Sequence, residues 1–180
     1  MWIGEKAINE LSEDMKALID KTAIDTKERG FNICAKDNQI LKEAERLGTK
    51  TRISTFASRR CYNGIYVGDF HTHPPQWTFP TYRIPYRYGL WYRQALPSMP
   101  DILYREPLKE NEFLCIGSKE KKGYHQINDV VRCFDVKDAQ DELQRHIIKK
   151  DGQEYLKKDL TKIFIDAMKS KSIKYTERIL

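Results

Sequence analysis

The segment Gly68-Asp69-Phe70-His71-Thr72-His73-Pro74, with Pro97-Ser98-Met99-Pro100-Asp101 downstream, gathers the residue types that a metal-dependent reaction needs. His71 and His73 are two apart, so on a β-strand both imidazoles point to one face. A strand ending at Pro74 can therefore present two rings to one ion. Asp101 is the natural third ligand. A catalytic zinc ion takes three protein ligands and keeps one position open, where it lowers the pKa of water from about 15.7 to about 7. The chain holds only four histidines, and two of them fall in this motif.

His71-Thr72-His73-Pro74 followed by Ser98-Met99-Pro100-Asp101, with Glu28 upstream, resembles the signature of the JAMM (JAB or MPN+) metallopeptidases. The resemblance implies zinc held by His71, His73 and Asp101. It implies that Glu28 takes a proton from the zinc-bound water and passes it to the leaving amine. Ser98 would donate a hydrogen bond to the oxyanion. These roles are chemically coherent: a base beside an activated water, and a donor where negative charge develops. Glu43 and Glu45 compete with Glu28 as the base. They lie in a Lys/Glu-rich stretch, 41–46, that reads as a solvated turn or short helix, whereas Glu28 precedes the apolar run Phe31, Ile33, Cys34.

Between His73 and Ser98 stand 24 residues, more than the family pattern has, so the resemblance implies an insertion at about 76–94 beside the site. Trp77, Tyr86 and Trp91 alternate there with Arg83, Arg87 and Arg93, and the segment has no acid. Aromatic residues with arginine are the composition of protein hot spots and of single-strand nucleic-acid platforms. The expected role is a substrate-binding lid, with Trp77, Tyr86 and Trp91 touching substrate. The other reading is a locally packed aromatic cluster covering the sheet edge.

The elements that must position these residues follow from periodicity. Ile8, Leu11, Met15, Leu18 and Ile19 recur at helical spacing over residues 5–21. Strands are expected at 31–35, 50–57 and 65–73, the last delivering the histidines. Ser98 can cap a helix starting near Met99, with Pro100 tolerated in its first turn. Three further strands are expected at 112–117, 123–128 and 130–136, with 118–122 as a charged hairpin. Helices are expected at 138–150 and 153–169, punctuated by Gly152. The fold class is α/β, a central mixed sheet flanked by helices. The resemblance implies the JAMM/MPN-like, cytidine-deaminase-like version of it over 1–136, with 137–180 a C-terminal helical extension.

At 180 residues, 40% hydrophobic and 32% charged, the chain suits one globular domain and excludes a disordered one. No run approaches a membrane span, and the first residues lack a secretory pattern, so a cytoplasmic location is the expectation. Cys34, Cys61, Cys115 and Cys133 have no Cys-x-x-Cys spacing and read as buried thiols, with a Cys115–Cys133 bridge as the alternative. The net charge of +6 is spread out, and the C-terminal lysines alternate with acids as on a solvated face. Nucleic acid is therefore not the expected partner.

The expected activity is zinc-dependent hydrolysis of a peptide or isopeptide bond in a protein substrate, a ubiquitin-like modifier among the candidates. Two other readings stand beside it: a catalytically silent MPN-type scaffold, and a DNA-associated RadC-type protein. The latter carries His-Asn-His-Pro-Ser-Gly where this chain has His-Thr-His-Pro-Pro-Gln.

Overall fold

The computed structural model describes residues 1–49, 53, 59–78, 95–103, 105 and 110–180. The chain opens with helix α1 (Ile3–Asp25), whose buried residues include Ile8, Leu11, Met15, Leu18 and Ile19, the stripe expected from the sequence. It ends at Thr26 in a left-handed conformation, φ 62°. Strands β1 (Arg29–Lys36) and β2 (Gln39–Leu47) follow as an antiparallel hairpin. β3 (Ile65–Thr72) carries the histidine motif, and the short helix α2 (Met99–Leu103) starts beside Ser98 as expected. β4 (Phe113–Lys122), β5 (Gln126–Asp135), α3 (Val136–Gln144), β6 (Ile147–Lys150), β7 (Gln153–Leu156), α4 (Leu160–Ser170) and β8 (Tyr175–Ile179) complete the order.

Six strands form one mixed sheet in the order β2-β1-β3-β4-β5-β8. All its neighbours are antiparallel except β3 and β4. Side chains alternate across a strand, so the sheet has two faces with different jobs. Phe31, Ile33, Phe70, Phe113, Cys115, Val131 and Cys133 pack against α1. Leu114, Ile116, Val130 and Phe134 pack on the other face against Leu96, Ile102 and the apolar sides of α3 and α4. Asp69 and His71 flank Phe70 and therefore project to that second face.

Several sequence expectations need correction. Residues 39–47, read in part as a polar turn or short helix, form β2. It is an edge strand, and charged residues are how such edges are kept from pairing with other chains. Its turn is Asp37-Asn38, both at positive φ (50° and 63°), the pattern of a two-residue hairpin loop. The expected hairpin at 118–122 is instead the polar end of β4, the turn falls at 123–125, and the two strands expected at 123–128 and 130–136 are one, β5.

The C-terminal region departs furthest. In place of two long helices it holds α3, the β6–β7 hairpin, α4 and a strand, β8, that joins the main sheet beside β5. Asp151-Gly152, with φ of 53° and 73°, is a hairpin turn rather than a break between helices. The strand expected at 50–57 falls almost wholly outside the described residues. The cysteines are not thiols: Cys34 pairs with Cys61 and Cys115 with Cys133. Cys115 and Cys133 face each other in the β4–β5 register with Cα atoms 4.0 Å apart, the cross-strand bridge that stood as the alternative, whereas the Cys34–Cys61 bridge was not expected.

Candidate metal centre

β3 ends at Thr72, and its last residues are held from three sides. In the antiparallel register His71 lies opposite Gly30 of β1, and in the parallel register opposite Ile116 of β4. A Cβ on Gly30 would stand 2.4 Å from the Phe70 carbonyl oxygen and 2.9 Å from the His71 Cβ. Glycine is thus the residue that lets the two strands meet beside the imidazole. Thr72, on the opposite side of the strand, accepts a hydrogen bond at Oγ1 from the Arg29 N–H (2.9 Å) and meets Thr22 Oγ1 of α1 at 2.6 Å. The His73 N–H donates to the Gly117 carbonyl (2.9 Å), and Ser118 Oγ donates to the His73 carbonyl (2.9 Å).

The third member comes from α2. Asp101 sits in the first turn of that helix, where its Oδ2 accepts the Ser98 N–H at 2.8 Å, one half of a capping box. The other sides of the carboxylate face the histidines. Asp101 Oδ1 is 3.2 Å from His71 Nε2, Asp101 Oδ2 is 3.3 Å from His73 Nε2, and the two Nε2 atoms are 3.2 Å apart. His71 is fully buried and His73 nearly so.

The carboxylate meets the two imidazoles through different oxygens, Oδ1 toward His71 and Oδ2 toward His73, so all three side chains converge on one point. Donors on a tetrahedral zinc at bond lengths of about 2.0–2.1 Å stand about 3.3–3.4 Å apart. Two facing imidazole nitrogens and a carboxylate, packed this closely in a buried site, require a shared cation or shared protons. Burial alone would raise the Asp101 carboxyl, but the facing imidazoles outweigh it and hold it well below the usual range. An ionised carboxylate is what ligation requires. His71, His73 and Asp101 are therefore a geometric grouping able to bind a metal ion.

Glu28 is buried (4% exposed) and immediately precedes β1. Its backbone is fixed by two hydrogen bonds to β2's exit, N–H to Thr49 carbonyl and carbonyl to Gly48 N–H, both 2.8 Å. Glu28 stands two residues before Gly30, the β1 residue that pairs with His71. The competitors go elsewhere. Glu43 accepts the N–H groups of Tyr62 and Asn63, and Glu45 lies 3.6 Å from Lys42 Nζ. Trp77 stands in a 3-10 turn (Gln76–Thr78), half exposed, with Lys121 Nζ 4.9 Å from its ring centroid. Tyr86 and Trp91 lie outside the described residues.

The chain matches no protein-family profile, no curated protein and no solved structure. The site must be read from its own geometry.

Sequence reasoning missed the polar core behind the ligands. Asp69, two residues before His71 and on the same face, forms a two-point ion pair with Arg105: Nη1–Oδ1 2.5 Å and Nη2–Oδ2 3.1 Å. Both side chains are almost wholly buried. Tyr66 donates its hydroxyl toward Asp69 (3.3 Å) or Glu112 (3.2 Å), and Arg59 Nε approaches Glu112 at 3.7 Å. Burial works against a charged Asp69, yet Arg105 prevails and keeps its carboxyl below the ordinary range. Arg105 follows α2 directly, so the pair fastens the Asp101 helix to the histidine strand. Gln140 of α3 adds a second fastening by donating to the Ile102 carbonyl (3.0 Å) and to that of Arg105. The available signal was parity: an acid at 69 shares the face of His71.

Proposed function

We propose that the protein is a zinc-dependent hydrolase of the JAMM type that cleaves a peptide or isopeptide bond. The observation that carries this reading is the convergence of His71, His73 and Asp101: the two Nε2 atoms are 3.2 Å apart, and each faces one oxygen of the Asp101 carboxylate at 3.2–3.3 Å. Its donor set, two imidazoles and one carboxylate, leaves a position open for reaction. The α/β fold with a mixed sheet flanked by helices is compatible with that family. Zinc, when bound, supplies Lewis acidity: it brings the pKa of water near neutrality and polarises an amide carbonyl.

The rest of the chemistry belongs to the chain. Glu28, two residues before the Gly30 that pairs with His71 and shielded from bulk water, accepts a proton from the attacking water and returns it to the leaving amine. Ser98, beside the Asp101 carboxylate, donates its hydroxyl to the oxygen on which negative charge develops. A lysine ε-amine as leaving group would make the reaction the removal of a ubiquitin-like modifier. The segment containing Trp77, Tyr86 and Trp91 follows the second histidine directly, which suits a role in gripping an extended protein substrate.

Zinc per chain, measured beside peptidase activity, tests this. Wild type should hold about one zinc, and a His71→Ala/His73→Ala variant none at this site. Glu28→Gln should keep the metal and lose about 10²-fold or more in turnover, because an amide cannot carry the proton. A zinc-loaded wild type that cleaves neither peptide nor isopeptide substrates would favour the silent scaffold. A chain that takes up no zinc would sink the hydrolase and leave the aromatic segment as a binding surface.

A further inference from the structure

A second group of metal-ligating side chains lies apart from the histidines and shares no residue with them. Cys34 comes from β1, Glu43 from β2, and Cys61 from the segment leading into β3. Their donor atoms all lie within 4.8 Å of one another. The sulfurs are joined, and Glu43 Oε2 stands 3.0 Å from Cys34 Sγ. A sulfur in a disulfide has no proton to give a carboxylate. The contact becomes favourable when the sulfur is a thiol, or when both atoms bind one cation.

Glu43 is held for that purpose. Its Oε1 accepts the Tyr62 N–H (3.1 Å) and the Asn63 N–H (3.3 Å), which fixes the carboxylate against the cysteines. Among the described residues no lysine, arginine or histidine forms an ion pair with it. A half-buried carboxylate oriented at two sulfurs, with its charge unmatched there, is half of a cation site.

We propose that Cys34, Cys61 and Glu43 form a redox-gated site for a thiophilic divalent cation of the zinc class. The site is closed while the sulfurs are joined and open once they are reduced. Two thiols of a low-molecular-weight dithiol or glutathione-type donor supply two electrons and two protons and leave as their own disulfide; Cys34 and Cys61 become thiols. Cation binding releases those two protons, giving two thiolates and one carboxylate around the ion. Thiolates select zinc-class ions over magnesium and calcium. The same segment also brings Arg59 to Glu112 in the polar core behind His71, and Asn32 Nδ2 donates to the Arg60 carbonyl at 2.9 Å. Whatever fills the site thus fastens a segment that reaches the metal centre's support.

Cobalt(II) is the probe, added to the full chain in an oxidised sample and in one reduced anaerobically with a phosphine. The reduced protein should take up about one further equivalent, with sulfur-to-cobalt charge-transfer absorption. That band should survive in His71→Ala/His73→Ala, which separates this inference from the proposed hydrolase. It should vanish in Cys61→Ser, and Glu43→Gln should weaken the affinity by about tenfold or more. Thermal melts in chelator verify that both variants fold. Equal cobalt uptake in the two redox states, or a band that Cys61→Ser leaves intact, would overturn the proposal.

Discussion

Replacing Arg105 with alanine should lower stability by about 3–5 kcal/mol, because it strands a buried carboxylate. The magnitude follows from the surroundings. Asp69 is 2% and Arg105 3% exposed at the side chain, so water cannot take over the lost contacts at 2.5 and 3.1 Å. Glu112 also lies 3.8 Å from Arg105 Nη1, so its removal leaves two acids facing each other and favours the upper end of the range. Against a total of about 5–15 kcal/mol this is a large fraction. For a chain of this size it corresponds to a fall in Tm of about 6–20 °C. Urea melts in excess chelator, which removes the metal's own contribution, read the effect.

A second variant separates fold from site. Asp69→Leu/Arg105→Met removes both charges and fills similar volume, so most of the stability should return. Zinc affinity should not return with it. Without the ion pair α2 is fastened mainly by Gln140, and Asp101 loses part of its fixed position; a loss of about 10-fold or more is expected. A loss below about 1 kcal/mol in Arg105→Ala would refute the reasoning, since Arg46 or Arg59 would then be serving Asp69 equally well.

Three other outcomes follow from the same geometry. Gly30→Ala should destabilise by about 1–3 kcal/mol, because its Cβ would meet the Phe70 carbonyl and the His71 Cβ; chemical shifts of the two imidazoles would report the displaced strand. Asp69 and Asp129 both have folded pKa values held below the ordinary range, against burial, by Arg105 and by Lys119 with Lys16. Their stabilisation is complete above the unfolded value of about 4 and is lost as pH falls through the folded values. Urea midpoints should therefore be flat above about pH 5 and drop below about pH 4, and equal midpoints at pH 3 and pH 6 would contradict this. Cys115→Ala/Cys133→Ala opens a loop with a sequence separation of 18, which corresponds to about 3 kcal/mol by loop-closure entropy, measurable by calorimetry.

Local patterns carried the sequence reading as far as they are local. The stripe from Ile8 to Ile19 can only be an amphipathic helix, and the alternation around Phe70 can only be a strand with His71 and His73 on one side. β2 was hidden because an edge strand is allowed to be polar: its Lys/Glu-rich residues 41–46 read as a solvated turn or short helix. Asp151-Gly152 had the same fate: a turn dipeptide flanked by Ile147-Ile148 and Tyr155-Leu156 is a hairpin signal, but the helical spacing of neighbouring residues masked it. The Asp69–Arg105 pair was illegible for another reason. Its partners are 36 residues apart, and only the fold makes them neighbours.

The long gap between His73 and Ser98 ceases to be an obstacle once the topology is considered. β3 and β4 are the parallel neighbours of the sheet, and parallel strands require a crossover connection of a dozen or more residues. That crossover is residues 73–112, and it contains Ser98 and Asp101. Its length does not set where Asp101 lands, because its anchors do. The Ala95 N–H donates to Glu120 Oε2 at 2.9 Å, and Glu120 is itself gripped by Arg132 at 2.6 and 2.9 Å. Arg105 closes the other end on Asp69. Between these two fastenings lie the Ser98 cap and the five residues of α2. An insertion before Ala95 can therefore vary in length and composition while the three donor residues stay where β3 and α2 put them.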